Sequence, residues 1–181
     1  ENYAFTVMFS PDFSQPDGLA VIDVKQGSET YGKIVHKVIV PHKGDEFHHF
    51  GWNACSSSLS PLSGHAFLER RYLIVPGIRS SRIYVFDVKD PLKASIHKTI
   101  EPEEVFSKTG YSRPHTIHCG PEGIYVSCLG GAGKDGTDGP PGIFIMDCET
   151  FEIVGQYEMD RGKQDKHYDF RWNLPQDYMV S

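Results

Sequence analysis

The chain has 181 residues, of which 39% are hydrophobic and 12% aromatic. This is enough apolar material for a folded core, which excludes a disordered chain. The formal net charge is −6, and Lys and Arg are scattered along the chain, which argues against a nucleic-acid-binding surface. No apolar run approaches the roughly 20 residues that a membrane-spanning helix needs, so no membrane partner is expected.

The two ends of the chain set the first expectation. The chain begins at Glu1 without a methionine and almost at once enters a strand-like run, residues 3–8. It stops within a second apolar run, residues 178–181. We therefore expect one partial domain over residues 1–181, truncated at both ends.

A repeated pattern organises the chain: a β-rich run that ends in an acid, a turn, and a second β-rich run. The acids are Asp23, Asp87 and Asp147. They recur about every 60 residues, further apart than the roughly 40 to 50 residues of common propeller repeats, a difference that longer loops explain. The pattern predicts the outer hairpins of three blades, with the second runs at residues 33–40, 95–100 and 151–157.

Two further strands are predicted upstream of the later hairpins, at residues 72–75 and 123–128, between Gly and Pro turn signals. Helical periodicity is confined to a short turn at residues 101–106, with Pro102 at the first helical position. Strands at this spacing suit a sandwich or a propeller, and the repeat favours an all-β propeller of about three blades. Three blades cannot close a ring, so we expect the remaining blades of the same propeller or a homo-oligomer to complete it.

Histidines recur at one phase of the repeat, at or just before the innermost strand predicted for each blade. Inner strands of a propeller line its central channel, so residues at this phase converge from different blades. A single strand histidine is usually a surface or hydrogen-bonded residue, and recurrence in three repeats is what favours a site. The candidates are His48, His49, His115, His118 and His167.

Converging imidazoles are typical of a metal site. They suit copper, zinc, iron or nickel, and the lack of thiolates at this phase favours an open catalytic or redox site over a closed structural zinc site. Asp169 and Glu46 are candidate carboxylate ligands, or residues that orient a ligating imidazole. Cys119 is predicted to face away from His118 as a core thiol, and the spacing of the four cysteines predicts reduced thiols.

The other conspicuous residues are given structural interpretations. The glycine-rich run 130–139 lacks the Gly-Lys-Ser/Thr ending and the following helix of a phosphate-binding loop, so a surface loop is expected. Residues 56–58 are serines close to the first histidine pair, but no hydrolase triad follows from their spacing. Trp52 and Trp172 are predicted to pack in the core, and no role is assigned to His36, His42, His65 and His97.

Several of these runs closely resemble selenium-binding proteins of the methanethiol oxidase type, and the similarity extends over essentially the whole chain. The runs are residues 45–57, 76–85, 115–119 and 167–170. The resemblance implies the N-terminal portion of a seven- or eight-bladed β-propeller. It also implies oxidation of a small thiol, methanethiol, with oxygen and water to formaldehyde, hydrogen sulfide and hydrogen peroxide, with copper as the cofactor.

Carried over by position, the resemblance makes four histidines copper ligands: His48, His49, His115 and His118. The cysteine that animal members are thought to use for selenium aligns with Gly32, so covalent selenium binding is not expected. Relatives of this kind occur in the periplasm and in the cytosol, and the resemblance leaves both compartments open.

Two other functions remain open at this point. One is a non-enzymatic propeller that binds selenium, small ligands or proteins, with the histidines filling the channel by hydrogen bonding. The other is a lactonase-like metal hydrolase, which would need a hard cation held by carboxylates. The recurrence of histidines, rather than carboxylates, at the predicted inner strands argues against the hydrolase.

Overall fold

Short antiparallel strands dominate the structure, a computed structural model that describes residues 1–54, 67–131, 139–160, 167–173, 175 and 177–181. A 3₁₀ turn, Pro91–Lys93, and a helix, α1 (Pro102–Thr109), lie between them. The strands are β1 (Tyr3–Met8), β2 (Pro16–Asp23), β3 (Ile34–Lys43), β4 (Gly51–Trp52), β5 (Tyr72–Pro76), β6 (Ile83–Asp87), β7 (Ser95–Ile100), β8 (Pro114–Gly120), β9 (Gly123–Cys128), β10 (Gly142–Met146), β11 (Ile153–Gln156), β12 (Arg171–Trp172) and β13 (Met179–Val180).

Strands that follow one another in sequence also lie side by side. The first blade has the order β1-β2-β3, the second β4-β5-β6-β7 and the third β8-β9-β10-β11, and β12 and β13 form a further two-stranded sheet. Such meander sheets, packed face to face in succession, are the blades of a β-propeller. The predicted all-β propeller class is therefore confirmed.

The central strands are buried on both faces because each blade packs against its neighbours. In β6, Ile83 and Val85 belong to a cluster shared with the third blade, whereas Tyr84 and Phe86 belong to one shared with the first blade. Successive side chains of a strand point to opposite faces of its sheet. One strand therefore contributes to two interfaces between blades, and this explains why the sequence shows continuous apolar runs there.

The acid that ends each repeated run has a structural role. Its carboxylate accepts the backbone N–H of the residue two positions later, a turn that aspartate favours. This interaction opens the hairpin after β2, after β6 and after β10. The three contacts are Asp23 with Lys25 at 2.8 Å, Asp87 with Lys89 at 3.0 Å and Asp147 with Glu149 at 2.9 Å.

The predicted helical turn is a complete helix, α1. Pro102 lies at its start, where the missing N–H costs no hydrogen bond. The helix continues past the predicted end and stops at Gly110, whose left-handed φ of 70° allows its N–H to reach the carbonyl of Phe106 at 2.7 Å. Val105 is fully buried in the core between the second and third blades.

The cysteines differ from expectation. Cys119 is disulfide-bonded, so the prediction of a reduced core thiol is wrong for this residue, because proximity in space is not readable from spacing in sequence. Cys128 and Cys148 are free and buried. His65, the three serines at residues 56–58 and most of the glycine-rich run lie outside the described residues. In the described part of the chain, no helix is long and apolar enough to cross a membrane.

Candidate metal centre

Two chain segments that carry predicted ligands meet where the second and third blades touch. One segment leads into β4 and contains His49, and the other is β8. The backbone N–H of Ile117 donates to the carbonyl of His49 at 3.1 Å across this junction. A Cβ atom at Gly51 would lie 2.3 Å from the carbonyl oxygen of Ile117, so glycine is needed for the two inner strands to approach this closely.

Three of the five predicted histidines come together at this junction. One nitrogen from each of His48, His49 and His115 lies within 4.8 Å of the other two. His49 Nδ1 and His115 Nε2 are 3.3 Å apart. His115 is fully buried, His48 is half-buried and His49 is exposed, so the group is anchored in the core on one side and accessible on the other.

Burial controls the protonation of the innermost imidazole. The pKa of His115 is lowered to about 4, chiefly because burial penalises the charged ring, and further because His48 and His49 would repel it. His115 is therefore neutral at pH 7. A neutral imidazole keeps a lone pair for a metal ion.

Tyr168 contacts the group in two ways that the sequence analysis missed. Its backbone carbonyl lies 2.9 Å from His115 Nδ1 and also accepts the hydroxyls of Thr116 and Ser127, each at 3.1 Å. Its ring lies against His115, with the ring centroids 4.1 Å apart. A backbone carbonyl is common to every residue type, so sequence pattern offers no signal for such a contact.

Glu46 is the carboxylate beside His48, with Oε1 3.4 Å from Nε2 of the imidazole. From there it is placed to orient the ring rather than to complete the group of three. Glu46 and Arg113 each stand two residues before a histidine of the group and have φ of 57° and 59°. Few residues other than glycine adopt this left-handed conformation, and such backbone strain is concentrated at functional sites.

The other two predicted histidines lie outside this group. His118 lies three residues after His115 on β8, where it packs against the segment that carries Asp169 and Arg171. Its Nε2 lies 3.7 Å from Asp169 and contacts Arg171, and burial, followed by the charge of Arg171, lowers its pKa. His167 is 7% exposed, with Nε2 3.5 Å from Glu158. Ligation by His118 or His167 stays a prediction.

The donor set fits a transition metal. All three candidate donors are imidazole nitrogens, which suit copper, zinc, iron or nickel, and a hard cation such as calcium would need oxygen ligands instead. With three protein donors and one exposed side, the arrangement resembles an open site, in which a position remains for substrate.

Comparison with known proteins identifies similar chains. The sequence pattern of the 56 kDa selenium-binding proteins matches residues 1–181. The chain is 43% identical to selenium-binding protein 3 of Arabidopsis thaliana, over 90% of this chain and 32% of that protein. It is 41% identical to a protein named methanethiol oxidase from Xenopus laevis, over 95% of this chain and 35% of that protein.

A solved structure shows the same similarity. The X-ray structure of a hypothetical selenium-binding protein from Sulfolobus tokodaii superposes with a TM-score of 0.86 and is 52% identical, over 97% of this chain and 38% of that one. The present chain thus spans about a third of the length of the curated relatives that it matches.

Proposed function

Because the chain belongs to the 56 kDa selenium-binding protein family, we propose that it forms part of a methanethiol oxidase with a copper centre at His48, His49 and His115. The reaction converts methanethiol, oxygen and water to formaldehyde, hydrogen sulfide and hydrogen peroxide. The observation that carries the proposal is the convergence of three imidazole nitrogens within 4.8 Å. A relative named methanethiol oxidase, 41% identical over 95% of this chain, supports the choice of reaction.

Copper bound there would supply a soft, redox-active centre that favours a thiolate and exchanges electrons with oxygen. The chain's own residues hold and orient this centre. The buried, neutral His115 offers its lone pair without having to lose a proton first. The exposed His49 lies on the side from which a small thiol can approach. Glu46 orients His48 through the 3.4 Å contact with its Nε2.

Copper content and methanethiol oxidation of the complete natural chain test this proposal together. Elemental analysis and copper EPR of the wild type are expected to find stoichiometric copper. We expect His49→Ala and His115→Ala to bind copper at least about tenfold more weakly, because each removes a nitrogen donor. His36→Ala is the matched control, since this imidazole lies on β3 and contacts the carbonyl of Ala94 at 3.0 Å.

Equal oxidation of methanethiol by the wild type and by a double variant lacking both His49 and His115 would refute the oxidase site. The ligand roles predicted for His118 and His167 are measured in the same way with H118A and H167A. Copper retained in those two variants restricts the centre to the three converging histidines.

A second candidate function is non-enzymatic binding of selenium or small ligands by the propeller. It is favoured by the name of the relative that is 43% identical, selenium-binding protein 3. The resemblance aligns Gly32, in the exposed turn between β2 and β3, with the cysteine that animal members are thought to use for selenium. Covalent selenium binding at this position is therefore not expected, and this function would rest on non-covalent binding. Selenite retained by the wild type in the absence of copper and of oxidase activity would favour this function.

A further inference from the structure

His115 lies at an irregularity in its strand. Pro114 pairs with Cys128 on β9, but the next pair joins Thr116 to Ser127, so His115 is left without a partner in the register. Such a bulge re-aims a side chain and is over-represented next to active sites. The orientation of His115 is therefore set by its local contacts rather than by the regular pleat of β8.

Ser127 supports the chain at this bulge. Its hydroxyl oxygen accepts the backbone N–H of Thr116 at 3.3 Å and its hydroxyl donates to the carbonyl of Tyr168 at 3.1 Å. Ser127 is fully buried and Thr116 is 2% exposed. A buried hydroxyl costs free energy unless it is hydrogen-bonded. The hydrogen bonds that the hydroxyls of Thr116 and Ser127 make around His115 offset the cost of burying them.

The carbonyl of Tyr168 decides which nitrogen of His115 carries the proton. Because a carbonyl oxygen only accepts hydrogen bonds, His115 Nδ1, at 2.9 Å, has to be the donor. Thr116 Oγ1 lies 2.8 Å from the same Nδ1 and donates its own proton to Tyr168. The neutral ring therefore carries its lone pair on Nε2, the atom that faces His49.

We propose that Thr116 and Ser127 are positioning residues of the candidate centre. Their hydroxyls, together with the carbonyl of Tyr168, hold His115 in the tautomer and orientation that present Nε2 to the metal. The inference rests on the proposed copper site and adds to it two residues that do not touch the metal. Partners of this kind orient ligating imidazoles and strengthen metal binding.

The test uses the complete natural chain, stripped of metal and titrated with copper(II) chloride against a competing chelator, with EPR of the loaded protein. Thr116→Val removes the hydroxyl and keeps a similar shape, whereas Thr116→Ser keeps the hydroxyl. We expect Thr116→Val and Ser127→Ala to bind copper about 10- to 100-fold more weakly, with altered EPR parameters. Thr116→Ser is expected to retain wild-type affinity.

Ser112→Ala is the matched control. Ser112 is as buried as Ser127 and likewise accepts a backbone N–H, that of Gly139 at 3.2 Å. Its Oγ has neither His115 nor Tyr168 as a hydrogen-bond partner in the described contacts, so its loss should leave copper affinity and the EPR spectrum unchanged. If Ser127→Ala does not fold, the copper affinities of Thr116→Val and Thr116→Ser are sufficient to test the inference.

Two outcomes would overturn the inference. One is that Thr116→Val and Ser127→Ala keep the wild-type copper affinity and EPR spectrum while His115→Ala loses its copper. The copper site would then not depend on Thr116 and Ser127. The other is an equal loss in Ser112→Ala, which would show a general effect of removing buried hydroxyls. Copper retained by His115→Ala would instead refute the proposed function itself.

Discussion

Replacing Gly51 by alanine should damage the candidate centre without changing any of its ligands. The added Cβ would lie 2.3 Å from the carbonyl oxygen and 2.9 Å from the carbonyl carbon of Ile117, both backbone atoms of the neighbouring blade. Ordinary van der Waals contact begins near 3.4 Å. The inner strands therefore have to separate by about 1 Å, because backbone atoms cannot rotate away as a side chain would.

This separation acts on two measurable quantities. The hydrogen bond from Ile117 N–H to the carbonyl of His49, 3.1 Å long, would be lost or lengthened. Overpacking of this kind lowers the free energy of unfolding by about 1–3 kcal/mol. The same displacement would move His49 Nδ1 away from His115 Nε2. Since metal–ligand distances tolerate deviations of only about 0.2 Å, we expect copper affinity to fall at least about tenfold.

Gly18→Ala is the control that separates stability from metal binding. Its Cβ would lie 2.6 Å from the carbonyl oxygen of Val38, a comparable clash within the first blade. Urea denaturation of the metal-free complete chain and copper titration are measured on both variants. Both should lose stability, and only Gly51→Ala should lose copper affinity. Wild-type copper affinity in Gly51→Ala would show that close approach of the inner strands does not position the ligands.

Two further predictions concern the fold. The guanidinium of Arg71 lowers the pKa of Asp87, so this ion pair stabilises the protein above the ordinary carboxyl range and ceases to do so as pH falls through the lowered pKa. In urea denaturation at pH 7, Asp87→Asn should have a lower free energy of unfolding than the wild type, and this difference should become smaller near pH 3. A difference that does not change with pH would contradict this role of the ion pair. Phe144→Ala, in the core between the second and third blades, should lower the free energy of unfolding by about 3–5 kcal/mol. Val154→Ala should lower it by about 0.5 kcal/mol or less, because the Val154 side chain is 69% exposed. Equal thermal shifts in the two variants would show that Phe144 does not stabilise that core.

The strands were the most predictable part of the molecule. Residues 3–8, 95–100 and 123–128 form strands with the predicted bounds, because β-branched and aromatic residues are flanked there by clear turn signals. The recurring aspartates marked the blades correctly, since each one makes the same local contact with a backbone N–H. Interactions of this short range leave a pattern in the sequence.

The detailed geometry of the candidate centre depends on contacts that leave no such pattern. The recurrence of histidines at one phase led to His48, His49 and His115, which the structure brings together. The bulge at His115 arises from the pairing of β8 with β9, and the contact with Tyr168 joins residues 53 positions apart. His118 shares the phase of the repeat but contacts Asp169 and Arg171 instead of joining the group of three, a difference that its spacing from His115 does not reveal.

A metal ion bound at the junction between the second and third blades would link metal occupancy to folding. The candidate ligands His49 and His115 are 66 residues apart in sequence, so they meet only after both blades have formed and docked. A metal ion that binds this docked state alone would stabilise it by mass action, by about 2.7 kcal/mol when free metal exceeds the dissociation constant a hundredfold. Copper would then act as a removable cross-link between two blades, and weakening of their packing would release the metal before the individual sheets unfold.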